Sequence, residues 1–223
     1  MSATAVIRPF AEQDREALLA LFARAGEGAP GGALWGHVPS VRDIYLTDYL
    51  DREPGSVLVA ELGGRLVGYL AGSLDTASFP NEEERLVQAI RRHRLWLRPR
   101  FVVFALRGRL ATITARLRGE SADLAELIDP RWPAHLHIDV APEARGTGAA
   151  DELMRGWLAH LDAAGVPGCF LQTVAENTRA VRFFERMGFR AHGARPPLPG
   201  RVGGRRMHQL TMVHPGAVTP QAP

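Results

Sequence analysis

The stretch Val140-Ala141-Pro142-Glu143-Ala144-Arg145-Gly146-Thr147-Gly148-Ala149-Ala150 decides how this chain is read. Before it, His135 to Val140 alternates as a strand does. After it, Gly148 to Ala164 reads as a helix with Leu153, Trp157, Leu158 and Leu161 on one face. A strand therefore ends, a loop with two glycines turns, and a helix begins. Glycines let main-chain N–H groups approach a ligand with no Cβ in the way. The helix start adds unpaired donors and a partial positive charge. Such a turn suits an anion, and a pyrophosphate in particular; the plainer alternative is an ordinary strand-to-helix turn with a basic side chain. A P-loop is excluded because the chain has no Lys, and a dinucleotide fingerprint fails because Asp151 stands where its third glycine is needed.

Outward from this turn the chain alternates strands and helices. Residues 5–9 read as a first strand, and Glu12-Gln13-Asp14 opens a helix carrying Ala17, Leu18, Leu21 and Phe22. The glycine-rich residues 25–36 read as a loop, and Val41 to Leu50 as a second helix. Residues 56–62 and 65–72 around Gly63-Gly64 read as a β-hairpin. On the far side, Cys169 to Val174 reads as a strand, Asn177 to Met187 as a helix stopped by Gly188, and Phe189 to Gly193 and Arg206 to Val213 as strands. The stretch 196–204 reads as a loop, and 215–223 as a disordered tail. There is no internal repeat and no coiled-coil heptad.

Residues 76–131 interrupt this rhythm as a helical insertion within one domain spanning 1–214. Asn81-Glu82-Glu83-Glu84 starts a helix running to about Leu97, and a second segment runs from Pro99 to Arg118. Ten Arg lie between Arg85 and Arg118. Phe101, Val102, Val103, Phe104 and Leu106 are more apolar than a solvated arm needs, so one face is expected to pack on the core or a second subunit. The arginines themselves are expected to face solvent; lining an acceptor pocket, or touching an acidic partner or anionic lipid, are the alternatives.

The bulk properties narrow the class. The 46% hydrophobic content supports a real core. No run of ~18 apolar residues predicts a membrane span, and no basic, then apolar, N-terminal segment predicts secretion, so a cytoplasmic protein is expected. The lone Cys169 excludes an internal disulfide and a cysteine-rich zinc site; no metal is expected. All 27 basic residues are Arg, the net charge is only +3, and just one segment is clustered and basic, so nucleic acid is not an expected partner.

The motif Arg145-x-x-Gly148-x-Ala150, preceded by Val140-x-Pro142, resembles the acetyl-CoA signature of the GNAT-type N-acetyltransferase superfamily. Asn177-x-x-Ala180-x-x-Phe183-Phe184-x-x-x-Gly188-Phe189 is similar to that superfamily's closing motif, and the order of elements agrees over about residues 5–75 and 132–213. Trp132 to Asp139, with Glu53-Pro54 and Asp75-Thr76, resembles bacterial acetyltransferases akin to the acetyltransferase-like domain of O-GlcNAcases. The resemblance implies an α/β fold: a mixed sheet of about six to seven strands flanked by helices, splayed at the fourth and fifth strands, with the insertion after the third.

It also implies acetyl-CoA as acyl donor and a primary amine of a small molecule or peptide as acceptor, joined by direct attack through a tetrahedral intermediate, in a monomer or homodimer. Arg145, Gly146, Thr147, Gly148, Ala149 and Ala150 map onto the pyrophosphate loop. Main-chain groups of Ile138 to Val140 map onto the pantetheine and thioester contacts, and Asn177 and Phe184 onto the second motif. Asn177 is also a good N-cap. His135, His137 and Asp139 alternate and so share one face. Asp139 and His137 are favoured as base or amine-orienting group, with the alternative that these three satisfy one another or cap loops; Glu176 and Asp75 are weaker candidates. The superfamily often carries Tyr where Phe184 stands, as acid for the leaving thiolate. Its loss leaves a binding module without chemistry as the competing reading.

Overall fold

The computed structural model describes residues 5–25, 35–119, 124–202 and 205–216. Strand β1 is Val6–Pro9, and after a single 3-10 turn helix α1 is Arg15–Ala25. Residues 38–52 form one continuous helical run: α2 (Val38–Arg42), a π-helical turn (Asp43–Thr47) and α3 (Asp48–Arg52). The hairpin is β2 (Val57–Leu62) and β3 (Arg65–Ser73). The insertion holds α4 (Glu82–His93) and α5 (Pro99–Leu117). Then come β4 (Ala134–Val140), α6 (Ala149–Ala163), β5 (Gly168–Val174), α7 (Thr178–Arg186), β6 (Arg190–His192), β7 (Pro197–Val202) and β8 (Arg205–Pro215).

The eight strands form one sheet in the order β1-β2-β3-β4-β5-β8-β6, with β7 paired to β8. Every pairing is antiparallel except β4 with β5. Eight strands stand where about six to seven are expected from sequence, and part of the excess is β7. Its Gly/Pro-rich sequence reads as loop, yet it pairs with β8 across a register shift between Pro197 and Arg201. Proline is tolerated on an edge strand, where its missing N–H faces away from the ladder, and a bulge absorbs the misfit. The expected tail also begins late: Pro215 still pairs with Gly168, and the Gly216 N–H donates to the Pro167 carbonyl at 2.7 Å. Residues 217–223 and 26–34, read from sequence as tail and loop, lie outside the described residues.

Each sheet face buries its own helices, as the alternation of side chains along the strands requires. On one face Leu153, Met154, Trp157 and Leu161 of α6 pack with Ala134, Leu136 and Cys169. On the other, Leu18 and Leu21 of α1 and Tyr49 and Leu50 of α3 cover Val57, Val59, Tyr69 and Ala71. Trp35, Val41, Ile44, Ala89, Leu95 and Phe101 form a third cluster that ties the insertion to the α2–α3 run. Asn81 opens α4 with a reciprocal cap: its side chain accepts from the Glu84 N–H at 2.9 Å, and Glu84 accepts from the Asn81 N–H at 3.1 Å. In α5, Phe101 is buried and Phe104 packs inward, which is one packed face, whereas Val102, Val103 and Leu106 are exposed.

The α6 face depends on one absent side chain. A Cβ on Gly72 would lie 2.5 Å from both the His135 carbonyl oxygen and the ring of Trp157, so the fully buried indole packs on bare backbone. Neither neighbour is the free end of a flexible chain. Gly72→Ala is therefore expected to destabilise the fold by ~1–3 kcal/mol through overpacking, read as a lower urea midpoint with unchanged slope. An unchanged midpoint would refute this account of the contact.

Candidate active site

Strand β4 pairs with β3 along its length, from Ser73–His135 to Gly68–Val140. With β5 it pairs only at Ala134–Cys169 and His135–Phe170. Beyond that point the two strands part, as the splay at the fourth and fifth strands requires. Main-chain direction then follows from the register. Successive residues of a strand turn their N–H and C=O groups to opposite edges. The Ala141 N–H donates to Val67 at 2.8 Å, and the Pro133 carbonyl accepts from the Thr76 N–H at 2.7 Å, so odd positions bond the β3 side. Ile138 and Val140 consequently turn their main-chain groups into the gap.

At the mouth of this gap lies the glycine turn. Gly146 and Gly148 have φ of 81° and 84°, the left-handed region glycine adopts without penalty. A Cβ built on either would meet nothing within 4 Å, so the cradle is open rather than filled. The Arg145 and Thr147 N–H groups bond back to Pro142 and Ala144, and the Thr147 hydroxyl donates to the Ala144 carbonyl at 2.7 Å. Among the described residues, no carbonyl or side chain accepts from the N–H of Gly146 or Gly148. Those of Ala149 and Ala150 open the 15-residue α6, where no helical partner exists. These donors, with the positive end of α6, fit a diphosphate. The Arg145 side chain is exposed beside them.

Across the gap, Asn177 caps α7: its side-chain oxygen accepts from the Ala180 N–H at 3.3 Å, which fulfils the N-cap role. Phe184 is buried in the α6-side core against Phe183 and Phe189. It offers no hydroxyl.

The face carrying His135, His137 and Asp139 lies against α3 and the π-helical turn, and their environments differ. Both ring nitrogens of His135 are engaged. The Thr76 hydroxyl donates to the Pro133 carbonyl at 2.7 Å, so its oxygen accepts from His135 Nδ1 at 2.7 Å. Nε2 then accepts from the Tyr49 hydroxyl at 2.7 Å, and that oxygen in turn accepts from Arg85 Nη1 at 2.8 Å. This chain fixes a neutral imidazole, and burial holds the ring well below its ordinary pKa.

His137 has the opposite problem. Its Nε2 is buried with no hydrogen-bond partner, and its ring lies edge-on to Tyr45 and Tyr49 at 5.3 and 5.5 Å. Burial, and then the nearby Arg85 charge, push its pKa down to about 3. Asp139 accepts from the Tyr69 hydroxyl at 2.8 Å while remaining partly exposed. Burial raises its pKa, against the opposing pull of that hydrogen bond. The weaker candidates hold structure instead. Glu176 binds the N–H and Nδ1 of His208 at 2.9 and 2.7 Å, and Asp75 accepts from the Ala77 N–H at 3.1 Å.

Several neighbours escape the sequence. Among the described arginine side chains of the insertion Arg85 is the exception: it is fully buried, donating to the Ile44 carbonyl at 2.7 Å and to Glu126 at 2.6 Å. Tyr45, in the π-helical turn, donates to Glu82 at 2.6 Å. Tyr69 lies directly opposite Asp139 in the β3–β4 pairing, which joins strands on either side of the insertion, so no turn in the sequence fixes their register. Nothing in the sequence singles out Arg85 from the arginines around it.

The sequence profile of the acetyltransferase (GNAT) family matches residues 73–189, just over half of the chain, and includes the gap, the glycine turn and α7. The chain belongs to that family. That family is one of acetyltransferases, which use acetyl-CoA as donor. A mycothiol acetyltransferase of Streptomyces griseus is 44% identical over 55 residues, a match spanning 25% of this chain and 18% of that protein. Two solved structures share the fold. SsHAT is 22% identical with a TM-score of 0.61, over 96% of this chain and 100% of that one. YncA from Salmonella typhimurium, solved with its cofactor acetyl-CoA, is 15% identical with a TM-score of 0.59, over 98% and 97%. Among the described residues no group of His, Cys, Asp and Glu is arranged to hold a metal, and no helix is long and apolar enough to cross a membrane.

If the glycine turn grips the donor, acetyl-CoA will raise the melting temperature, and the rise will keep growing with the logarithm of its concentration above Kd, with a stabilisation of about 2.7 kcal/mol at a hundred times Kd. Gly148→Glu sets bulk and negative charge against the free N–H groups and should abolish that shift while the far-UV spectrum is retained. A folded variant still stabilised by acetyl-CoA would show that the turn is not the anchor.

Proposed function

We propose that this GNAT protein transfers an acetyl group from acetyl-CoA to a primary amine of a small molecule or peptide, with Asp139 as general base. What carries the proposal is the placement of a carboxylate of raised pKa on β4, between the two residues whose main chain faces the open gap. Acetyl-CoA supplies an activated acetyl thioester, which the amine attacks directly to give a tetrahedral intermediate that expels the thiolate. Gly146, Gly148, Ala149 and Ala150 hold the diphosphate by main-chain N–H groups. Ile138 and Val140 bind along the pantetheine arm, and an N–H here stabilises the developing oxyanion. Asn177 and Phe184 flank the arm from α7.

A free alkyl amine has a pKa near 10, so it arrives as an ammonium and must lose a proton. Asp139 takes it. Burial of Asp139 brings its basicity closer to that of the proton donor, and the Tyr69 hydroxyl keeps the carboxylate aimed. His137, neutral throughout the working range, is too weak a base and orients the amine through its unpaired nitrogen. His135 positions Tyr49 and Thr76 beneath the site. The leaving thiolate needs no acid at Phe184: with a thiol pKa near 8.5, its release is only ~2 kcal/mol uphill at pH 7.

Because the folded pKa of Asp139 is raised, the base is protonated and inactive below it and ionised above it. Turnover at saturating substrate should fall as pH drops through a value above the ordinary carboxylate range. Asp139→Asn should lower kcat by ~10²–10⁴-fold and erase that acid limb. His137→Gln should instead raise KM and keep the limb. An acid limb that survives in Asp139→Asn removes Asp139 as base. Acetyl-CoA binding with no thiol release across a broad amine screen would favour the binding-module reading, which Phe184 supports.

A further inference from the structure

Helix α5 has two apolar faces and the fold uses one. Phe101, Phe104 and Ala105 pack inward with Trp35. On the other side Val103, Leu106, Leu110, Ile113 and Leu117 follow one another at steps of three and four, which places them in a single stripe. The heptad spacing not seen in the sequence is thus present here, over ~21 Å of helix. These side chains are open to solvent: Leu106 is 55% exposed, Leu110 62%, Ile113 54% and Leu117 83%. Trp96 and Leu97, in the turn just before α5, are 52% and 68% exposed. A helix apolar on both sides is ordinarily covered on both.

The charge around the stripe says what covers it. From Arg85 to Gly119 there are ten Arg and no Asp or Glu. Arg107 and Arg109 flank the stripe within α5, and Arg91, Arg94, Arg98 and Arg118 are exposed around its ends. None of these six pairs with a carboxylate among the described residues. A second copy of this helix is a poor occupant, since self-pairing would bring cationic flanks together with nothing in the segment to neutralise them. An exposed apolar stripe between arginines, with an exposed indole in the turn that precedes its helix, matches an anionic bilayer surface. The stripe enters the acyl boundary, and the long Arg stems let the guanidinium groups reach lipid phosphates.

We propose that α5 and the Trp96 turn dock this protein peripherally on anionic lipid membranes. The helix lies in the interface and does not cross it. This is independent of the acetyl-transfer assignment. The test is co-sedimentation of the full chain with vesicles of equimolar phosphatidylglycerol and phosphatidylcholine against phosphatidylcholine alone. Binding is expected only to the anionic vesicles and should fall steeply with added salt. Leu106→Glu with Leu110→Glu should cut partitioning by at least about tenfold, and Arg107→Glu with Arg109→Glu likewise. Both double variants should retain the melting-temperature rise with acetyl-CoA, which shows them folded. The proposal is overturned if wild type ignores anionic vesicles or if the leucine variant binds them as wild type does. It is also overturned if light scattering shows a dimer that the leucine variant dissociates, which would make the occupant a second copy.

Discussion

Parallel pairing between β4 and β5 stops after two residue pairs, and the site exists because it stops. Main-chain polar groups must find partners when buried, so two strands that start side by side would ordinarily zip together. Here each has a complete ladder on its other edge: β4 with β3, and β5 with β8 from Gly168 to Val174. Neither needs the other to remain a strand. Their inner edges are thereby free to meet a ligand, and the amide-like pantetheine of coenzyme A is a natural match for such edges.

The three titratable residues of β4 show how position along one strand sets chemistry. Spaced two apart on one face, His135 is buried while His137 and Asp139 are half-buried, and the three meet different partners. The first is closed within a hydrogen-bonded chain from Arg85 to the Pro133 carbonyl. The second is walled by two tyrosine rings but lacks a polar partner. The third keeps one hydroxyl contact and some solvent access. An unpartnered imidazole nitrogen in a protein interior is costly, and among the described residues His137 Nε2 shares that condition with His214 Nδ1.

The glycine turn, the α6 face and the shared face of the β4 residues were legible because glycines and side-chain periodicity report local geometry directly. What was illegible depended on partners distant in sequence. Strand β7 carries no strand-like composition; β8 imposes the pairing on it. Arg85 looks like its neighbours in the insertion until Glu126, Ile44 and Tyr49 surround it. The same ambiguity affected α5, whose residues Phe101 to Leu106 are uniformly apolar, so only the fold could tell that Phe101 and Phe104 turn inward and Val103 and Leu106 do not.

Strand β8 lies between β5 and β6 and also carries β7, although it follows all of them in the chain. During synthesis the outer edge of β5 must therefore wait, bare, until residues 205–215 emerge. An uncovered strand edge is a template for wrong pairing, and this one belongs to the half of the sheet that completes the gap. The first half, from β1 to β4, can assemble as the chain appears, while the second closes only in a late step. A nascent chain stalled before β8 is accordingly a candidate for chaperone capture rather than for early activity.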